Sequence, residues 1–110
     1  MDISFANNNL LKYANNHQKA IQKLGPQQAK LYKQRLDDLK DVLNLEETRF
    51  LPGSYHELKE NRKGQWASSL NHPYRLIFEP QEKPIPTNQA GQYLWVEIKG
   101  IEIIEIVDYH

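Results

Sequence analysis

The hydrophobic period of the chain switches once, at Leu51-Pro52-Gly53, and this switch limits the folds open to it. Before that tripeptide, apolar residues recur every three to four positions; after it they alternate. The first pattern lines one stripe of a helix and the second one face of a strand, so a helical half has to cover a sheet half. With 110 residues the chain is read as one domain, 1–110, with one core. A short strand, then helices, then strands predicts an α+β fold. Its parts are a short N-terminal strand and an antiparallel two-helix hairpin, packed on one face of a mainly antiparallel C-terminal sheet. The other face of the sheet is expected to be open.

In the first half, Ile3 to Phe5 reads as the short strand, and Asn7, Asn8 and Asn9 offer a cap for a helix. Leu10, Ala14, His17, Ile21 and Leu24 predict one helix from about Asn9 to Leu24, with His17 half-buried on its apolar face. Gly25 stops it, and Pro26 suits the first turn of the next, where its missing N–H would be unpaired anyway. Ala29, Tyr32, Leu36, Leu39 and Leu43 mark the inner face of that second helix. The very short join requires the two helices to run antiparallel.

In the second half, Trp66, Ser68 and Leu70 share one strand face, and Asn71-His72-Pro73 turns the chain. Tyr74, Leu76 and Phe78 then share a face, with Arg75, Ile77 and Glu79 opposite. Pro80 to Gly91 holds three of the six prolines and no period, which predicts an extended, mobile loop. Tyr93 to Lys99 reads as a strand with Leu94, Val96 and Ile98 on one side, and Gly100 as a tight turn at positive φ. Ile101 to Val107 is the last strand, its alternation broken at Ile103-Ile104 by a bulge.

Composition excludes several function classes. The chain has no cysteine, so disulfides and thiolate zinc sites are ruled out. No apolar run approaches the length that crosses a bilayer, and the start MDISFANNN lacks the features of a signal peptide, so a cytoplasmic protein without a membrane partner is expected. The formal net charge is zero, which argues against indiscriminate nucleic-acid binding. Residues 51–110 carry 6 Lys+Arg against 8 Asp+Glu, so any basic site there is local.

Such a local grouping lies in SYHELKENRKGQWASSLNHPYRLIF, residues 54–78. It contains the His56, Lys59 pair, a basic turn at Arg62, Lys63 and Gly64, and Arg75 inside an apolar strand; Asp108, Tyr109 and His110 add an acid, a phenol and an imidazole. Metal-free RNA cleavage needs these groups. A histidine or lysine removes a proton from the ribose 2′-hydroxyl and returns one to the leaving oxygen. An arginine fork holds the phosphate as its charge builds. A phenol stacks on a base or donates to phosphate. Each group also has an ordinary reading. His56 and Lys59 make a solvated loop pair, Arg75 a cross-strand ion pair with Glu97, the basic turn a solvated face, and Asp108 to His110 a frayed end. Chemistry requires Arg75 and His110 to reach one pocket.

The segment GSYHELKENRKGQWASSLNHPYRLIFEP, followed after further strands by IVDYH, resembles the HigB or "plasmid maintenance killer" branch of the RelE/ParE toxin superfamily. The matching elements are His-x-x-Lys, Gly-x-Trp, Asn-x-x-Tyr-Arg-Leu and the closing Asp-Tyr-His, spanning His56 to His110. Ser69, where many relatives carry a basic residue, and the long Pro80 to Gly91 loop depart from the pattern. The resemblance implies a RelE-like α+β toxin of a type II toxin-antitoxin system that cleaves mRNA on the ribosome without metal or cofactor. It implies neutralisation by a helix-turn-helix antitoxin of the HigA type, with operator DNA reached only through that antitoxin. By position it makes His56, Lys59, Arg75, Asp108, Tyr109 and His110 catalytic or RNA-contacting residues. Within that set Lys59 and His110 are the first choices for proton transfer and His56 the second; Arg75 holds the phosphate, Asp108 orients an imidazole or guanidinium, and Tyr109 touches a base. Arg62, Lys63 and Asn71 are RNA-binding candidates, Asn71 also serving turn geometry. Two rival readings remain in view: a ParE-like toxin that binds gyrase without hydrolysis, and a degenerate member that only binds an antitoxin.

Overall fold

The structure, a computed structural model, describes residues 1–108. The chain begins with strand β1, Asp2–Phe5, and turns into helix α1, Asn8–Asn15, whose cap is Asn7: its side chain accepts from the Leu10 N–H at 2.9 Å. The expected single helix is in fact two. Asn16, in an extended conformation, ends α1 by donating its N–H to the Lys12 carbonyl and opens α2, His17–Leu24, by accepting from the Lys19 N–H at 3.1 Å. A short amide side chain that satisfies backbone groups competes with helix continuation, and here it wins in the middle of an unbroken apolar period. His17 is exposed as a result, not half-buried. Gly25, at φ 84°, separates α2 from α3, Pro26–Asp41, and Pro26 opens α3 as expected. Ala29, Tyr32, Leu36 and Leu39 are buried on α3, while Leu43 lies past its end and is 77 % exposed.

A 3-10 helix, Leu45–Phe50, leads to the sheet strands β2, His56–Glu57; β3, Trp66–Ser69; β4, Tyr74–Pro80; and β5, Gly100–Asp108. Among the described residues the five strands form one sheet in the order β1-β5-β4-β3-β2. Every neighbouring pair is antiparallel except β1 with β5, which run parallel with Ile3 opposite Ile101 and Phe5 opposite Ile103. The helices supply the crossover that a parallel pair requires. The expected bulge is present: Ile77 pairs with Glu105 and Phe78 with Ile103, leaving Ile104 as the extra residue of β5.

The main core lies between the helices and the sheet and contains Tyr32, Leu36, Leu39, Trp66, Leu76, Phe78, Ile101 and Ile103, among others. Two contacts tie α3 to the β3–β4 turn: the Arg35 Nε–H donates to the Ser69 carbonyl at 2.7 Å, and the buried Gln28 side chain accepts the Asn71 N–H at 2.7 Å. None of the helices among the described residues is long and apolar enough to cross a membrane.

Three expectations fail in the stretch between β4 and β5. Tyr93 to Lys99 is not a strand but carries a 3-10 turn, Trp95–Glu97. Trp95 and Ile98, three residues apart, are the buried pair, whereas Val96 is 56 % exposed, so the apparent alternation counted a surface valine. The Ile98 carbonyl accepts the Leu45 N–H instead of joining a ladder. The Pro80 to Gly91 segment is a loop, as expected, but not an extended one: it begins in β4 and then folds back as an arm, with Asn88 N–H on the Gln92 carbonyl, Leu94 N–H on the Pro86 carbonyl and Thr87 bridged to Tyr93. The Asn88 side chain accepts the Ala90 and Gln92 N–H groups, giving the tip its own turn. Gly100 has no positive φ; it is the first residue of β5, and its smallness makes room for the Gln81 side chain above it.

Candidate nucleic-acid interface on the far sheet face

Register decides which side chains share the face turned away from the helices. His56 pairs with Ala67, Ala67 with Ile77 and Ile77 with Glu105; two positions along, Ser69 pairs with Arg75 and Arg75 with Val107. Directly paired residues point to the same side, so His56 and Arg75 belong to the far face, as the parity of β4 predicts for Arg75. Their strands, β2 and β4, are separated by β3 alone. Two strand spacings of about 5 Å and an offset of two residues, about 7 Å, put the two backbone positions about 12 Å apart.

The far face is less open than expected. Leu58, Ala67 and Ile77 are buried there in a small apolar cluster with Ile104 and Val107 against it. The loop from Leu58 to Gln65 closes over this cluster, and the Arg62 guanidinium reaches β5, donating to the Glu105 carboxylate at 2.7 Å and to Gln65 at 2.9 Å. Arg62 is therefore engaged in an internal ion pair. An alternating strand face with Ala67 and Ile77 on it attracts a cover because two fully buried apolar side chains would otherwise meet water.

His56 is exposed, and its Nδ1 lies 2.7 Å from the Ser54 carbonyl. A carbonyl only accepts, so Nδ1 of the neutral ring carries the proton and the Nε2 lone pair faces outward, the arrangement a general base needs. The loop holding that carbonyl is tightly wound: Gly53 is at φ 121° and Ser54 at φ 55°. A Cβ at Gly53 would meet the Arg35 guanidinium at 2.9 Å, so glycine is needed for close approach as well as conformation. Sequence reasoning missed Ser54 and Gly53 as positioning residues; a Pro-Gly pair whose glycine stands three positions before a histidine was the available signal.

Lys59 is exposed immediately before the 3-10 turn Glu60–Arg62. Arg75 is half-exposed and its guanidinium donates to the Tyr74 carbonyl at 3.2 Å. Among the described residues it makes no ion pair, and the cross-strand pairing with Glu97 does not form, since Glu97 belongs to the 3-10 turn and not to a strand. Asp108 pairs with Tyr74 and so has the parity of Tyr74, not of Arg75. Asn71 is exposed, with its N–H anchored on Gln28 and its carbonyl on the Tyr74 N–H, which makes it a turn-forming residue. Lys63 turns to the other side of the loop, its ammonium 5.5 Å from the centre of the Tyr93 ring. Tyr109 and His110 lie outside the described residues. The structure thus brings His56 and Arg75 to one face of the sheet, leaves Lys59 exposed just before the 3-10 turn, and directs Lys63 elsewhere.

The arrangement offers an imidazole lone pair and a guanidinium on one face, beside the loop that covers the apolar cluster. It suits proton abstraction beside a bound anion.

No protein-family model matches the chain, and no curated protein sequence matches it. Solved structures do. The toxin of the YoeB-YefM complex from Staphylococcus aureus matches with a TM-score of 0.60 at 18 % identity, over 100 % of this chain and 97 % of that one. A YoeB/ParE toxin from Agrobacterium tumefaciens matches with a TM-score of 0.58 at 12 % identity over 100 % of both chains. The YoeB dimer from Staphylococcus aureus matches with a TM-score of 0.58 at 20 % identity, over 100 % of this chain and 97 % of that one. A short first strand, helices on one face and a mixed five-stranded sheet are the fold of these YoeB and YoeB/ParE toxins, and the present chain shares it along its whole length.

Proposed function

We propose that the protein is the toxin of a type II toxin-antitoxin pair and acts in the cytoplasm as a ribosome-dependent mRNA endoribonuclease of the HigB kind. The observation that carries this reading is the placement of His56 and Arg75 on one sheet face, the imidazole turned outward by the Ser54 carbonyl. The shared fold with YoeB toxins supports it. In the proposed reaction Arg75 holds the scissile phosphate. A base, His56 or Lys59, takes the 2′-hydroxyl proton; the oxygen attacks phosphorus to give a 2′,3′-cyclic phosphate; and the 5′-oxygen leaves with a proton from His110. Tyr109 touches a base, and Asp108, which shares the parity of Tyr74, is left out of the group around Arg75. An antitoxin, of the helix-turn-helix type, silences the protein and carries the pair to operator DNA.

Expression without the antitoxin is the test. Wild-type protein should arrest growth and leave cut transcripts. Arg75→Ala and deletion of His110 should each abolish arrest while the protein stays folded by circular dichroism. Arrest by both variants at matched expression overturns the assignment. Intact transcripts with DNA damage would place the protein with gyrase inhibitors instead.

A further inference from the structure

The arm between β4 and β5 builds a second cleft. It lies on the opposite side of the Glu60 to Gly64 loop from the far sheet face, with a volume of about 510 Å³. Tyr93 and Trp95 form its apolar wall, their rings 4.9 Å apart and tilted by 55°. Trp95 is further wedged edge-on against the fully buried Trp66, with ring centres 5.5 Å apart, so the wall is rigid. Lys63 stands over Tyr93, and Gln92 and Asn88 supply amides at the rim. The one acid in the lining, Glu57, is already satisfied. One carboxylate oxygen accepts from Arg49 at 3.0 Å and the other from the Trp95 Nε1–H at 3.1 Å.

We propose that this cleft takes one unpaired RNA base against the Tyr93 ring, with the Lys63 ammonium moving onto the adjoining phosphate. The proposal rests on the nuclease reading for the identity of the nucleic acid and extends its footprint beyond the reacting nucleotide. Three features favour a nucleotide. A cation held above an aromatic ring occupies the surface a base stacks on, and a base that replaces it leaves the ammonium beside the phosphate it brings. The neutralised carboxylate does not repel that phosphate. At the rim the Asn88 amide is held within the arm, its Nδ2–H donating to Gln92 Oε1 at 3.0 Å, which leaves the Gln92 side-chain NH2 to meet the edge of a base. The two sites are also continuous: successive residues of β2 turn His56 to the far face and Glu57 to the cleft, and successive residues of the loop send Arg62 one way and Lys63 the other. A strand of RNA crossing the short edge strand β2 therefore meets both.

A proline-rich peptide is the competing occupant, since such segments also dock on paired aromatic rings. The full chain is titrated with a fluorescein-labelled single-stranded RNA dodecamer, followed by anisotropy at several salt concentrations, and separately with a labelled decaproline peptide. Tyr93→Ala should weaken RNA binding about tenfold, and Tyr93→Phe should retain it, because stacking needs the ring and not the hydroxyl. Lys63→Gln should weaken it and reduce the slope of log affinity against log salt by about one contact. A structural role for Lys63 would not change that slope, and melting curves of each variant check the fold. RNA affinity unchanged by Tyr93→Ala and Lys63→Gln, absence of RNA binding by the wild-type chain, or binding of decaproline in place of RNA each overturns the proposal. Transcript cleavage in cells reports separately on the nuclease reading. Cut transcripts with a Tyr93-independent affinity sink the cleft alone, and Tyr93-dependent binding with intact transcripts sinks the nuclease alone.

Discussion

The side-chain NH2 of Gln81 lies within hydrogen-bond distance of three acceptors, which share its two hydrogens: the Asp2 carboxylate at 3.0 Å, the Ser4 hydroxyl at 3.1 Å and the Ile101 carbonyl at 3.0 Å. It therefore pins the end of β4 across β5 to β1, and it does so directly above Gly100. A Cβ at that glycine would strike the Gln81 side-chain carbonyl. Gly100→Ala should cost about 1–3 kcal/mol, the usual penalty for forcing atoms into an occupied space. Gln81→Ala should lose the amide's hydrogen bonds but tolerate the added methyl. The double variant Gln81→Ala, Gly100→Ala should then be more stable than the sum of the single changes predicts, by more than the ~0.5 kcal/mol typical of independent sites. Urea denaturation of the four proteins measures this, and strict additivity would refute the steric account. His56 illustrates the same principle in the candidate site, where a neighbouring carbonyl and not the side chain's own type sets which nitrogen is available.

The β2–β3 loop behaves as a lid on the far face, held at its tip by one ion pair. Arg62 and Glu105 are 28 % and 42 % exposed at their side chains, so solvent screens the pair and its worth to global stability is below about 1 kcal/mol. Its local effect is larger, because it is the ion pair that ties the loop to β5 beside Ala67 and Ile77. Arg62→Ala should leave the urea midpoint nearly unchanged while amide exchange in residues 58–65 accelerates several-fold. Uniform acceleration across the sheet would show instead that the pair supports the whole fold. On the helical side, Asn16 divides what the apolar period presents as one helix, and the Trp95–Glu97 turn replaces what alternation presents as a strand. In both places a local backbone demand, a cap in one and a buried i, i+3 pair in the other, overrode a pattern that allowed two readings.

The stability of the molecule as a whole should fall at alkaline pH, because two tyrosines are held neutral. Tyr32 is buried with its hydroxyl donating to the Leu10 carbonyl at 2.9 Å, and Tyr55 is buried with its hydroxyl on the Arg35 carbonyl at 3.3 Å. Burial raises the pKa of both phenols well above the ordinary tyrosine value; Tyr13 adds to the effect at Tyr32, and Asp38 at Tyr55. The unfolded chain loses these protons near pH 10 and the folded chain keeps them. The stabilisation is therefore complete below about pH 10 and is lost as pH rises above it, with a slope approaching ~1.4 kcal/mol per pH unit for each phenol. Tyr32→Phe should flatten that slope by about half. Urea titrations between pH 8 and about pH 11.5 test it, and an unchanged slope in the variant would show that Tyr32 ionises freely in the fold.

Local chemistry is written in consecutive residues, and that part of the protein was legible: Asn7 as a cap, Pro26 at a helix start, the inner face of α3, the turn at Asn71-His72-Pro73, the alternation of β3 and β4, and the extra residue in β5. The far-face position of Arg75 followed from the same parity. The parallel pairing of the first strand with the last, the folding back of the prolyl arm, the aromatic cleft it forms and the Arg62–Glu105 clasp join residues tens of positions apart. No periodicity encodes these contacts; they arise when separate elements compete to bury Ala67, Ile77 and Trp95 and to satisfy the polar groups left around them. The candidate site divides along that line: its residue types and strand parity belong to the chain, and the outward nitrogen of His56 and the engagement of Arg62 belong to the packing.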